Sequence, residues 1–125
     1  MSFEVGTAAR FVAFHRQPVE GPEGELHPHA YRMEVVVGRD QLDGRGMVCD
    51  LELLNQAVRE AASKVEGRDL EAVRPPEAQA VTVEVLARWA HDVLAEAVRL
   101  AGGETLSVRL YESDSEFGGY AGPVA

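Results

Sequence analysis

Apolar residues recur along this chain with two different periods. Phe11-Val12-Ala13-Phe14-His15 and the stretch from Tyr31 to Val37 read as extended segments, and together they predict two strands, about residues 7 to 15 and 29 to 38, paired as a hairpin. Between Leu51 and Val65 the interval lengthens: Leu51, Leu54, Val58, Ala61 and Val65 share one face of a helix. Val85, Leu86, Trp89, Val93, Ala97 and Leu100 predict the buried face of a second helix. The short period returns where Leu106, Val108 and Leu110 alternate with Ser107, Arg109 and Tyr111, the pattern of a strand with one face buried. The predicted order is strand, strand, helix, helix, strand, with a short tail available for pairing.

Punctuation residues agree with these boundaries. Asp50 and Thr82 precede the two helices as N-caps, Gly67 and Gly102-Gly103 follow them, and Pro75-Pro76 forbids helix in between. Asp40 to Gly46 is a turn. The connection from Gln17 to Glu25 is rich in Pro, Gly and Glu and is long for a simple hairpin, the kind of loop that often carries function.

Candidate chemistry begins at His27-Pro28-His29. In a strand, residues i and i+2 point the same way, so the two imidazoles face together, and a hairpin partner ending in His15 adds a third. Three neutral nitrogens with an open fourth position are the ligand set of a catalytic zinc site; the alternative is a solvated pair at a strand start. On the second helix, a core-facing Trp89 turns His91 by about 200°, which predicts an exposed His91.

Size and charge narrow the classes. With 125 residues, the chain fits one domain, residues 1 to 125. A net charge of −9 argues against nucleic-acid or anionic-membrane partners, and no apolar run approaches the roughly 20 residues that cross a bilayer. The N-terminus lacks a signal-peptide pattern, and Cys49, the only cysteine, excludes an intrachain disulfide; a cytoplasmic protein with a buried, inert thiol is expected.

The motifs resemble those of the 6-pyruvoyl-tetrahydropterin synthase and 6-carboxy-tetrahydropterin synthase family. Phe11-Val12-Ala13-Phe14-His15, His27-Pro28-His29-Ala30-Tyr31 and Gly46-Met47-Val48-Cys49-Asp50 match three of its blocks, and Val81 to Trp89 and Val108 to Ser113 echo two more in the same order. The resemblance implies an α+β tunnelling fold, an antiparallel sheet with two helices on one face, assembled as a homohexamer of two trimeric barrels. It also implies zinc on His15, His27 and His29, a small-molecule pterin substrate, Glu112 as the anchor of the pterin ring, and Thr82 and Glu84 beside the pocket, although both have a local explanation at a helix start.

Departures from the family pattern bear on activity. Glu23 stands where the synthases carry their catalytic cysteine, and Glu66-Gly67 stands where an Asp-His pair is expected. Pro28 replaces a glycine and is suited only to a strand edge or bulge. A glutamate in the cysteine position resembles a branch that cleaves dihydroneopterin triphosphate to 6-hydroxymethyl-dihydropterin for folate synthesis, with Glu23 as base; Glu23 is otherwise one acid among several in a solvated loop with Glu20 and Glu25. A non-catalytic paralogue that keeps the fold is the alternative, and 6-carboxy-tetrahydropterin synthase in deazapurine (queuosine) synthesis a further one, disfavoured by the missing cysteine. Arg10, Arg16 and Arg32 flank the histidines in sequence as candidate triphosphate ligands or plain strand-edge charges.

Overall fold

A computed structural model describes residues 2–17 and 19–125. Four strands, β1 (Phe3–His15), β2 (His27–Arg39), β3 (Thr105–Tyr111) and β4 (Phe117–Pro123), form one antiparallel sheet in the order β1-β2-β3-β4. Helices α1 (Leu51–Ser63) and α2 (Val83–Leu100) lie in the β2–β3 connection and pack on one face. Both hairpin strands run further than the expected segments, and the C-terminal tail pairs as β4. The fold is the α+β arrangement expected.

Alternation sorts the sheet residues. Phe11, Ala13 and His15 of β1, Tyr31, Met33, Val35 and Val37 of β2, and Leu106, Val108 and Leu110 of β3 turn toward the helices and are buried. The opposite face carries Arg10, Arg32, Glu34 and Arg109, and no described element covers it.

Both helices start at the expected caps. The Asp50 carboxylate accepts from the amides of Glu52 and Leu53, and the Thr82 hydroxyl accepts from the Val85 amide. Their buried faces need correction. In α1 the core residues are Leu54, Val58, Ala61 and Ala62, with Val65 just beyond, while Leu51 is 44% exposed. In α2 the buried stripe is Leu86, Ala87, Ala90, His91, Leu94 and Val98; Val85, Trp89 and Val93 lie half-buried on its flank, Ala97 is exposed, and Leu100 is 71% exposed. The stripe sits about one residue, or 100°, from the expected one.

Small residues explain the rotation. Ala87 and Ala90 let the helix axis approach the sheet, where Trp89 would hold it off. Beneath the helix, the core-facing positions of β4 include Gly118 and Gly122. A Cβ at Gly118 would lie 2.6 Å from Val83 Cγ2 and 3.1 Å from the Glu84 amide nitrogen. His91, expected to be exposed, is 5% exposed: its ring stands edge-on to Tyr120 with centroids 4.9 Å apart, and its Nε2 lies 3.4 Å from the Gly122 carbonyl.

Candidate metal centre and adjoining cavity

His15 ends β1 and faces His27 directly across the ladder, and His29 sits opposite Ala13. The three rings therefore meet on the helix side, with centroids 4.6 Å apart for His15–His27, 4.6 Å for His15–His29 and 5.0 Å for His27–His29. One nitrogen from each lies within 4.8 Å of the others, a group that could hold a metal ion. His15 is buried; His27 and His29 are half-buried.

The hydrogen bonds suit a cation. His27 Nδ1 is 2.8 Å from the Glu25 carbonyl, so Nδ1–H donates and Nε2 keeps its lone pair. His15 Nδ1 is 3.3 Å from the Tyr31 hydroxyl, whereas its buried Nε2 has no hydrogen-bond partner among the described residues. A buried polar atom without a partner carries a desolvation cost that a ligand can relieve. Burial lowers the His15 pKa, His29 and His27 lower it further by charge repulsion, and the Val81 main chain, an acceptor beside the ring, pulls the other way. A neutral imidazole is the form that binds metal. The donor set and the orphaned nitrogen fit such a group.

Pro28 fits as well. The Phe14 amide donates outward to the Arg68 carbonyl at 2.8 Å, so the facing pair Phe14–Pro28 exchanges no ladder bonds and the proline nitrogen points away from β1. On that side the β2–β3 ladder ends at Arg32–Tyr111, so no ladder hydrogen bond is lost.

A cavity of about 210 Å³ adjoins the triad, walled by His15, Gln17, Ala80, Val81, Thr82, Val83, Glu84 and Glu112. Three expected residues, Thr82, Glu84 and Glu112, thus gather beside a metal-site histidine, brought there by the start of α2 and the end of β3. Glu112 also borders a second cavity of about 260 Å³ with Arg10, Arg32, Tyr111 and Ser113.

Other expected residues lie elsewhere. Glu23 sits in a short 3-10 turn, Pro22–Gly24; its side chain is exposed and is not among those lining the 210 Å³ cavity, but its carbonyl accepts from the Gln17 amide at 2.8 Å, tying the turn two residues past His15. Arg10 and Arg32 occupy the open face of the sheet, opposite to the histidines by strand parity, and Arg32 pairs with Glu34 at 3.1 Å. Arg16 is exposed beside Gln17, Asp69 and Glu71. Glu66 and Gly67 are structural: the Glu66 carboxylate accepts from the Val12 amide at 2.6 Å, and the Gly67 amide donates to the Val12 carbonyl at 2.7 Å. Cys49 is buried, and burial, with the Asp50 charge, pushes its thiol pKa up. His91 packs on β4, outside the cavity walls. Sequence reasoning missed Tyr31 as a neighbour of His15, though the parity of 27, 29 and 31 carries that signal.

Comparison with known proteins places these features in context. Residues 4–123 match the family model described as 6-pyruvoyl tetrahydropterin synthase. The fold is similar to that of a 6-pyruvoyl tetrahydropterin synthase from Plasmodium vivax, with a TM-score of 0.76 at 13% identity, covering 98% of this chain and 99% of that one. A second Plasmodium vivax structure, 15% identical with the same TM-score and coverage, is described as a catalytic-residue mutant in which a glutamate is replaced by cysteine. The Caenorhabditis elegans synthase gives a TM-score of 0.68 at 18% identity, covering 98% of this chain and 96% of that one. No protein of curated function gives a significant match.

Proposed function

Since the chain belongs to the 6-pyruvoyl tetrahydropterin synthase family, we propose that it is a zinc-dependent lyase acting on 7,8-dihydroneopterin triphosphate and releasing 6-hydroxymethyl-dihydropterin. The observation that carries this reading is the shared position of His15, which belongs both to the three-histidine group and to the wall of the cavity that holds Thr82 and Glu112. His15, His27 and His29 hold the zinc, which when bound supplies Lewis-acid polarisation of the substrate's side-chain hydroxyls. Glu112 accepts two N–H bonds from the amino-pyrimidine edge, a charge-assisted bidentate contact that orients the ring. Thr82 spends one lone pair of its hydroxyl on the Val85 amide and keeps its proton to donate into the cavity.

Glu23 is the base. It takes the proton of the 2′-hydroxyl; the C1′–C2′ bond breaks, its electrons move onto C1′ and the conjugated ring, and a proton returns to C1′ as the phosphorylated two-carbon aldehyde leaves. The Plasmodium vivax enzyme, whose catalytic residue is a glutamate, supports a carboxylate in this role. The open edge of β4, the part of the β1 edge before Val12 and the uncovered sheet face support assembly into a homohexamer.

A non-catalytic paralogue is the second reading, favoured by the use of Glu66 and Gly67 to clasp β1 where the family's Asp-His pair is expected. The 6-carboxy-tetrahydropterin synthase reaction lacks its cysteine here. Incubating the zinc-loaded protein with dihydroneopterin triphosphate and identifying products by mass separates them: 6-hydroxymethyl-dihydropterin supports the lyase, unchanged substrate supports the paralogue, and a different dihydropterin product shows another synthase outcome.

A further inference from the structure

The two metal-site histidines with visible partners are oriented by different devices. His27 is held by a main-chain carbonyl, that of Glu25, at 2.8 Å. His15 is held by a side chain, the Tyr31 hydroxyl, 3.3 Å from its Nδ1. A carbonyl can only accept, so it dictates which nitrogen of His27 carries the proton. A phenol both accepts and donates, and the tautomer of His15 is settled by what surrounds the other nitrogen.

Two arrangements are open to His15. If the Tyr31 hydroxyl donated to Nδ1, the proton would sit on Nε2, which is buried and makes no well-aligned hydrogen bond among the described residues, although the Val81 main chain lies beside the ring. A buried N–H with no well-aligned acceptor is the costlier outcome. If Nδ1–H donates to the hydroxyl oxygen, Nε2 is left with a lone pair available to a ligand, and the phenolic proton is free to turn away from the imidazole. Burial and the nearby Glu112 charge keep Tyr31 in the protonated, neutral form.

Tyr31 is built to hold this position. It is buried, it stacks on Phe11 with ring centroids 5.3 Å apart, and it continues the parity of His27 and His29 along β2. We infer that Tyr31 is a positioning residue that fixes His15 in the Nδ1–H tautomer through its hydroxyl, so that the Nε2 lone pair is already aimed at the metal position before any ion arrives. The inference rests on the metal site proposed above, yet it concerns the hydrogen bond alone and holds or fails in the metal-free protein.

The test uses the full chain with 15N-labelled histidine, freed of metal and held near pH 8.5, where imidazoles are neutral. Long-range 1H–15N correlation distinguishes the protonated from the bare ring nitrogen. The expected result is an Nδ1–H tautomer for His15 in the unaltered protein and a shift toward a mixture in Tyr31→Phe, which keeps the ring stacked on Phe11. Chelator competition with zinc, and separately with cobalt, then shows affinity lowered about tenfold to a hundredfold by Tyr31→Phe, the usual effect of losing a partner behind a metal ligand. An Nε2–H tautomer in the unaltered protein overturns the inference, as does an unchanged tautomer in a folded Tyr31→Phe variant, even if metal affinity falls. If the unaltered protein shows the expected tautomer and loses it in the variant but binds neither metal, the tautomer role stands and the metal-site reading falls.

Discussion

The Glu66 carboxylate accepts the amide proton of Val12 at 2.6 Å, closing the outer edge of β1 at the point where Gly67 and Arg68 take over as main-chain partners. A side chain here substitutes for a strand. Replacing it leaves an edge amide to water, so Glu66→Ala is expected to destabilise by about 1 kcal/mol, with Glu66→Gln losing less because its amide oxygen still accepts. Urea denaturation midpoints measure both, and metal content remains that of the unaltered protein. A loss of metal in either variant would instead assign Glu66 to the site.

Glu23→Gln should lower turnover of dihydroneopterin triphosphate about a hundredfold to ten-thousandfold while retaining zinc, because the amide keeps the shape but takes no proton. Glu25→Gln is the matched control. Glu25 serves the site through its main-chain carbonyl on His27, which the substitution leaves in place. Product mass and elemental analysis give both readouts, and equal behaviour of the two variants removes Glu23 from the chemistry.

Stability of the metal-free protein should depend on pH through His15. Its folded pKa is lowered, first by burial and then by His29 and His27. The unfolded chain therefore takes up a proton near its ordinary value of about 6.5 while the folded chain does not. Stability from this group is complete above that value and is lost as pH falls below it toward the lower folded pKa. Urea midpoints between about pH 5 and 8 should show this acid-side slope, and His15→Gln should flatten it.

Gly118→Ala is expected to destabilise by about 1–3 kcal/mol, since the added methyl meets Val83 Cγ2 and the Glu84 amide where α2 begins. Thermal melting checks the loss. Because Thr82 and Glu84 wall the cavity, the same displacement should weaken pterin binding, measured by fluorescence titration, more than it weakens metal binding.

Much of this arrangement is legible in local pattern. The i, i+2 spacing of His27 and His29 and the hairpin ending in His15 bring three imidazoles together, and Asp50 and Thr82 announce their helices by chemistry that acts within three residues. The face of α2 is not so legible, because Trp89 dominates the pattern by size while the actual contact is set by Ala87, Ala90 and the distant glycines of β4. His91 is misjudged for the same reason. The Glu66–Val12 bond joins residues 54 apart, and no local signal marks it. Arg10 and Arg32 could have been separated from the histidines by parity alone, since their even numbers put them on the other side of the sheet.

Pro28 has a consequence for the mouth of the cavity. Its nitrogen faces the side of β2 from which β3 has already departed, and the chain leaves Tyr111 with Glu112 at the cavity wall. The next rung would fall to the Ala30 amide, but the chain instead turns back into β4, with the Glu112 amide donating to the Glu116 carbonyl at 3.1 Å. Two residues beyond Ala30, Pro28 offers an approaching strand no donor, so the margin of β2 nearest the imidazoles is poor ground for any further strand to follow.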